Sequence, residues 1–351
     1  MTELRRVSRI LAIRLARLGD VTLLLPSLGL LKAAFGGAHL TLLTGLPYTP
    51  VARLCPWVDD VMALDRGRMR DGPRRQALSD VIRFAGDLRR RKFDLVVDFH
   101  SFRETNLMAW ASGARYRIGM KRADRAYLPF CFNLAPALED KSIHVAEMFR
   151  RVVLQVPGTR PEDIVAGPSI RPPGARRPGP GLTVALYVGA SVASRRWPPD
   201  RFAALARHVV ERWGASVLVL SGLTAEERES ADRIGIDTGG GAGRVEVLKG
   251  LGIPDLVQAI ASADFLVSND SGPMHIGAAL GVPTLGIFSE SLPRHYRPTG
   301  VGDRFVTGEP VETVEFGDVV RTLEEMRAGT PREGSELAIE RRDRPHGSSG
   351  T

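Results

Sequence analysis

The stretch best equipped for chemistry is Phe265-Leu-Val-Ser-Asn-Asp-Ser-Gly-Pro-Met-His-Ile-Gly-Ala-Ala-Leu-Gly-Val-Pro-Thr-Leu-Gly-Ile-Phe288. It reads as strand, tight turn, helix, stop and strand. Pro273 suits a first helical turn, where its missing N–H costs nothing, and Gly281 with Pro283 supplies the stop. The turn Asn269-Asp270-Ser271-Gly272 then falls at the carboxyl end of a strand, where open α/β sheets hold ligands. Free N–H groups at the helix start, with the positive end of its dipole, suit a phosphate-bearing ligand. Ser271 is placed either to cap that helix or to donate to a ligand oxygen. His275, in the first turn, reaches the same pocket or is a satisfied helix histidine.

Three further segments carry suitable groups. Gly189-Ala-Ser-Val-Ala-Ser-Arg-Arg-Trp-Pro-Pro-Asp-Arg-Phe202 follows an apolar strand and opens into a helix at Pro198. Its Arg195 and Arg196 can clamp a diphosphate, or lie solvated in a surface loop. In Ser221-Gly-Leu-Thr-Ala-Glu-Glu-Arg228, Glu226 or Glu227 can accept from ribose hydroxyls, or merely complement the helix dipole. In the first half, Arg14-Leu-Ala-Arg-Leu-Gly-Asp-Val21 leaves a strand through Gly19 and starts an apolar helix with Asp20. A carboxylate there faces the phosphate site across a cleft, where a general base belongs if a hydroxyl must attack a sugar carbon; the other role is helix capping. His100 and Arg103, in Asp98-Phe-His-Ser-Phe-Arg103, can line the acceptor side or lie at the surface. His144 and Glu147 are one helical turn apart, which alone says little.

The elements that must hold these residues alternate. Apolar runs at Ile10–Arg14, Leu40–Thr44, Val61–Leu64 and Leu95–Phe99 are separated by helical stretches, the clearest at Arg75–Lys92. Val184–Val188, Val217–Ser221, Val245–Leu248, Phe265–Asn269 and Thr284–Phe288 repeat the pattern, which predicts parallel sheets covered by helices on both faces. At 351 residues the chain exceeds what one core normally fills, so two domains are expected, over 1–166 and 182–327. The Pro/Gly-rich segment 167–181 reads as their linker, and residues 328–351 as a polar tail after a last helix at Phe316–Met326. Gly239-Gly-Gly-Ala-Gly243 lacks the strand-to-helix register of a dinucleotide fingerprint and reads as a loop, which argues against a nicotinamide dehydrogenase.

Composition narrows the function classes. With 43% hydrophobic and 25% charged residues the chain can bury a sizeable core. Two cysteines, Cys55 and Cys131, make neither a disulfide framework nor a metal cluster, and suit a reducing compartment. The net charge of +8 fits phosphorylated substrates or an anionic membrane face; without a recognition-helix motif or an aromatic ladder, no nucleic-acid partner is expected. Charges interrupt the N-terminal apolar run, so it reads as a buried strand and helix, neither a signal peptide nor a membrane span.

Taken in order, Leu18-Gly19-Asp20-Val21, Asp94-Leu-Val-Val-Asp98, Arg117-Ile-Gly119, His144-Val-Ala-Glu147, Arg195-Arg-Trp-Pro198 and Asn269-Asp-Ser-Gly272 with His275 resemble the ADP-heptose:lipopolysaccharide heptosyltransferases, glycosyltransferase family 9. The resemblance runs from about Arg9 to Met326. It implies a GT-B fold, two Rossmann-like domains with parallel sheets facing across a cleft. It also implies an inverting, metal-independent transfer without a cofactor, from a nucleotide-sugar donor, ADP-heptose, to a lipid-linked or oligosaccharide acceptor of the lipopolysaccharide core. Asp20 is then the catalytic base, with Gly19, His100 and Arg103 on the acceptor side. Arg195, Arg196, Asp270, Ser271, Gly272 and His275 surround the donor, and Glu226 or Glu227 meets the nucleoside. A cytoplasmic location follows, peripheral on the inner membrane. Two departures stand out: Arg195 replaces a lysine common among relatives, and Ser289-Glu290-Ser291-Leu292 replaces their glycine and proline-containing loop. An inactive binding module and a nucleotide-sugar epimerase are the competing readings.

Overall fold

The computed structural model describes residues 4, 6–65, 67, 74–163, 167–174, 181–238, 244–289 and 293–329. In the first half, strands β1 (Arg9–Arg14), β2 (His39–Gly45), β3 (Asp60–Leu64), β4 (Leu95–Asp98), β5 (Tyr116–Lys121) and β6 (Ala137–Leu138) make a sheet ordered β3-β2-β1-β4-β5-β6. In the second, β7 (Thr183–Tyr187), β8 (Ser216–Leu220), β9 (Val245–Leu248), β10 (Phe265–Asn269), β11 (Thr284–Ser289) and β12 (Arg304–Gly308) are ordered β12-β11-β10-β7-β8-β9. Every pairing in both sheets is parallel. Counted from its own first strand, each sheet has the same winding, with the order reversing between β1 and β4 and between β7 and β10. Those two reversals open the crevices in which such sheets take ligands. The strands near them are apolar along their middles, as sheets buried on both faces require, with polar residues such as Arg14, Asp98 and Asn269 at their carboxyl ends.

Strands β5, β6 and β12 were not legible as apolar runs. Tyr116-Arg-Ile-Gly-Met-Lys121 and Arg304-Phe-Val-Thr-Gly308 lie toward sheet edges, where solvent on one side admits charge and glycine. The helix expected at Arg75–Lys92 spans Arg74–Arg90 and stops short of Lys92, whose φ of 51° is left-handed. The last helix runs from Phe316 to Gly329, so Ala328 is helical rather than the first residue of a tail. The glycine run 239–243, the residues 290–292 and the segment 330–351 lie outside the described residues.

One helix joins the halves. The helix after β1, α1 (Leu18–Ala34), is apolar on nearly every side, with Val21 to Leu25 and Ser27 to Leu31 buried. A helix of that kind must be covered all round. Its neighbours include a short helix after β2, α2 (Thr49–Arg53), and two longer ones, Val145–Leu154 of the first half and Gly272–Leu280 of the second. A single apolar cluster therefore runs from Leu24 and Leu28 through Val152 to Leu256, Ile260 and Ile276. The segment after the first half is stitched to both: Ser169 N–H donates to Ala279 O at 2.8 Å and Arg171 N–H to Leu54 O at 2.8 Å. Among the described residues no helix is long and apolar enough to cross a membrane.

Because Leu24 is fully buried in this shared core, Leu24→Ala is expected to lower unfolding free energy by about 2–5 kcal/mol. Denaturant unfolding checks this, and a loss under about 1 kcal/mol would mean the α1 interface is not packed as described.

Candidate functional site

With α3 (Arg74–Arg90), α4 (Arg103–Ala111), α5 (Val145–Leu154), α6 (Pro199–Trp213), α7 (Ala225–Asp237), α8 (Ile253–Ala261), α9 (Gly272–Leu280), α10 (Pro293–Tyr296) and α11 (Phe316–Gly329) in place, the second-half crevice is built around Asn269. Its side-chain oxygen accepts from Trp197 N–H at 3.0 Å, and its amide donates to Val188 O at 2.8 Å. One buried amide thus fixes the loop 188–197 against the end of β10. Trp197 is locked from the other side by its indole N–H on Val314 O, 2.9 Å away. On this frame Arg195 reaches Asp270 at 3.2 Å, and Arg196 pairs with Glu226 at 3.0 Å while its Nε donates to Ala190 O. Burial pushes the Asp270 carboxyl up and Arg195 pulls it back.

The helix that follows, α9, begins without a side-chain cap. Ser271 sits at the N-cap with extended backbone, yet its hydroxyl makes no bond to the helix; it lies 3.3 Å from the Ser268 hydroxyl. The amides at the α9 start keep their capacity for an anion. Glu227 behaves differently. It closes a capping box with Thr224, accepts from the Tyr187 hydroxyl at 3.4 Å, and fills the space beside Gly189 and Gly222 that a Cβ on either would occupy. The structure accounts for Glu227 as a buried cap; Glu226 next to it is on the surface.

In the first-half crevice Asp20 is the third residue of α1, and Arg14 at the end of β1 holds it at 2.6 Å. Arg14 is buried, donates its other terminal nitrogen to Phe99 O at 2.9 Å, and lies 4.7 Å over the Phe149 ring. The sequence reading missed it, although an arginine closing an otherwise apolar strand is a visible signal. Asp20 opens into a pocket of about 370 Å³ with Arg14, Arg122, Arg125, Lys141 and Tyr296 among its walls. Arg122 and Arg125 lie 5.3 and 5.2 Å over the Phe102 ring, and Arg122 also pairs with Glu139 at 2.9 Å. His100 is buried beneath, its ring 4.2 Å from Phe102 and its carbonyl taking a bond from Arg122 Nε. Arg103 is exposed at the head of α4 and is not part of the pocket wall. The whole loop hangs on Asp98, which accepts from the amides of Ser101 and His100 and from Asn106; burial nevertheless pushes its carboxyl up to about 6.

The two crevices meet. A Cβ on Gly19 would fall 2.7 Å from His275 Cδ2, and one on Gly272 would fall 2.9 Å from Leu18 Cδ2. Neither position has room for a side chain, so the starts of α1 and α9 pack closely, each glycine against a side chain of the other helix. Around them, His144 caps α5 with Nδ1 on Ala146 N–H, which leaves Nε2–H to donate to Arg297 O at 3.0 Å, and His295 Nδ1–H donates to Ile143 O at 2.8 Å. These bonds carry Tyr296 into the pocket, where burial and the charges of Asp20 and Asp270 raise its phenol. The structure thus brings Asp20, Gly19, Gly272 and His275 together, with Arg195, Asp270 and Ser271 on the same side of α9. It leaves Arg103 and Glu226 at the surface. Tyr296 and His295 had no signal in sequence, because only the fold carries α10 back to β1. Among the described residues, no three His, Cys, Asp or Glu are grouped to hold a metal ion.

His275 is 5% exposed, its Nδ1 has no hydrogen-bond partner among the described residues, and burial followed by the nearby His144 lowers its pKa to about 4, against the pull of Asp20. An unfolded histidine takes up a proton below 6.5 and the folded one only near 4, so stability is full above 6.5 and falls between the two. The loss should be on the order of 3 kcal/mol. Denaturation of wild type and His275→Gln across that range tests it: the variant should lack the step, whereas parallel curves would contradict the assignment.

The model of glycosyltransferase family 9 (heptosyltransferase) matches residues 81–319. Lipopolysaccharide heptosyltransferase 1 of Pseudomonas aeruginosa is 34% identical over 116 residues, covering 33% of this chain and 31% of that protein. Among solved structures, E. coli heptosyltransferase WaaC with ADP superposes with a TM-score of 0.77 at 19% identity, over 91% of this chain and 99% of that one. The glycosyl transferase family 9 structure from Veillonella parvula gives 0.75 at 21% identity, over 93% and 99%. With its two parallel sheets in GT-B arrangement, this chain belongs to glycosyltransferase family 9, the heptosyltransferases.

Proposed function

We propose that this protein transfers a heptose, with inversion, from ADP-heptose to an anionic, lipid-linked or oligosaccharide acceptor of the lipopolysaccharide core type. In this reading residues 1–166 bind the acceptor and residues 182–327 the donor, and the protein works at the cytoplasmic face of the inner membrane. The observation that carries it is the Asp20 carboxylate, fixed by Arg14 at 2.6 Å and opening into a polar pocket, where Arg122, Arg125 and Lys141 face Asp124, Glu139 and Asp140, beside the uncapped start of α9.

Asp20 accepts the proton of an acceptor hydroxyl, and that oxygen attacks the anomeric carbon from the face opposite the diphosphate. The bond from the anomeric carbon to the β-phosphate oxygen breaks, and ADP leaves with the electron pair. The α9 amides, Ser271 and Arg195 meet the charge that grows on the leaving diphosphate. Arg14 orients Asp20, and the adjoining larger pocket, with Lys121, Arg122 and Arg125 and no carboxylate among its described lining residues, favours an acceptor that carries negative charge. No metal ion has a role in these steps. The positive end of α9 and the guanidinium groups serve the leaving group instead.

Two measurements test this reading. Asp20→Asn keeps the shape at α1 and should lower transfer about 10²–10⁴-fold, followed as ADP release from ADP-heptose with a lipopolysaccharide core acceptor. The melting-temperature rise given by ADP should persist. Sugar release without acceptor would instead favour an epimerase, and full activity in the variant would remove Asp20 from the mechanism. Arg195→Ala should weaken ADP binding by roughly tenfold to a hundredfold, and Arg195→Lys by much less, since a charged donor is lost in one case and replaced in the other. Equal affinities in calorimetry would place Arg195 outside the donor site.

A further inference from the structure

The outer side of the first sheet leaves apolar side chains in water. Helix α4 presents Arg103, Leu107 and Trp110 at i, i+4 and i+7, hence on one face, and Leu107 is 43% and Trp110 54% exposed. Phe130, 63% exposed on the turn Pro129–Cys131, meets Trp110 edge-on with ring centroids 6.5 Å apart. Neither aromatic ring lines the Asp20 pocket or the larger pocket beside it. The chemistry proposed above makes no use of them. Clustered exposed aromatics of this kind mark a contact surface.

The neighbouring charge identifies what covers it. Arg103 heads the same stripe. At its other end Arg89 lies against Gly113, where a Cβ would come within 3.7 Å of its Cζ, and Arg115 is exposed two residues further on. The larger pocket, about 650 Å³, is walled by Lys121, Arg122, Arg125, Tyr127 and Pro129. It ends at the residue before Phe130 and shares Arg122 and Arg125 with the Asp20 pocket. Aromatic rings flanked by arginines, beside a pocket walled by Lys121, Arg122 and Arg125, match a phospholipid interface. There the rings settle at headgroup depth and the guanidinium groups meet phosphates.

We propose that the face formed by Leu107, Trp110 and Phe130 docks the protein reversibly on an anionic phospholipid surface, so that a lipid-anchored acceptor enters the larger pocket and is led toward Asp20. The purpose of the docking rests on the transferase reading; the docking itself does not.

Co-sedimentation of the full chain with phosphatidylglycerol/phosphatidylcholine vesicles, against phosphatidylcholine alone, tests the proposal. Wild type should bind the anionic vesicles, and added salt should release it. The double variant Trp110→Ser, Phe130→Ser should bind about fivefold or more weakly. It should retain the wild-type melting temperature and its turnover of a water-soluble acceptor fragment, which separates lost docking from lost fold or lost chemistry. Vesicle binding by a wild type that transfers no sugar would still support the surface while removing the transferase reading. The proposal is overturned if wild type ignores anionic vesicles, or if the double variant binds as well as wild type. It is also overturned if wild type is a dimer that the double variant converts to monomer, since a second copy then covers the face.

Discussion

Two helix N-termini, those of α1 and α9, press together across the cleft, Gly19 against the His275 ring and Gly272 against the Leu18 side chain. Each brings unsatisfied amide groups and the positive end of a dipole, and neither is capped by a side chain. Like ends of dipoles repel, so the arrangement needs an opposing attraction. The apolar cluster that runs from Leu24 and Leu28 to Ile260 and Ile276 supplies it. Gly19 and Gly272 set how near the helices come, because a methyl group at either would meet His275 or Leu18. Amides that no side chain caps, at two positive dipole ends brought close together, are suited to an anion.

The charged groups around this contact can be understood as responses to that potential. Asp20 sits in the first turn of α1, where the dipole favours a carboxylate, and the Arg14 ion pair limits which way it points. Asp270 is drawn to Arg195, 3.2 Å away, in a pair whose carboxylate is the more buried member. His275 lies inside the contact as a neutral ring, since a second positive charge between two dipole ends would be costly to bury. Tyr296 and the two histidine-to-carbonyl bonds from His144 and His295 close the remaining side. Most of these groups are held by backbone or by buried partners, which suits a site that must stay ordered before substrate arrives.

Much of this was readable before any coordinates. Apolar runs separated by helical stretches gave the parallel sheets, because strands near a winding reversal are buried on both faces and keep their polar residues mostly to their ends. The strand-turn-helix reading at 265–281 matched down to the left-handed Gly281, since Pro273 and Gly281 are tied to backbone geometry. Asp20 and His275 were picked out singly; that they share one contact was not visible, because their meeting depends on how two sheets face each other. At Glu227 spacing alone could not choose, since a first-turn glutamate looks the same whether it caps a helix or meets a ribose; the structure shows the cap. Edge strands such as β12 escaped notice because half-exposed backbone tolerates charge.

The account stands or falls on where the donor diphosphate and the acceptor hydroxyl sit relative to α9 and Asp20. A crystal structure with ADP-heptose or an unreactive analogue, together with an acceptor fragment, measures this directly. The account predicts a phosphate oxygen on the amides that open α9, and the acceptor hydroxyl within about 3.2 Å of Asp20 on the face of the sugar away from the phosphate. A nucleotide bound away from Ser271–His275, or an acceptor whose hydroxyl lies out of reach of Asp20, would contradict it.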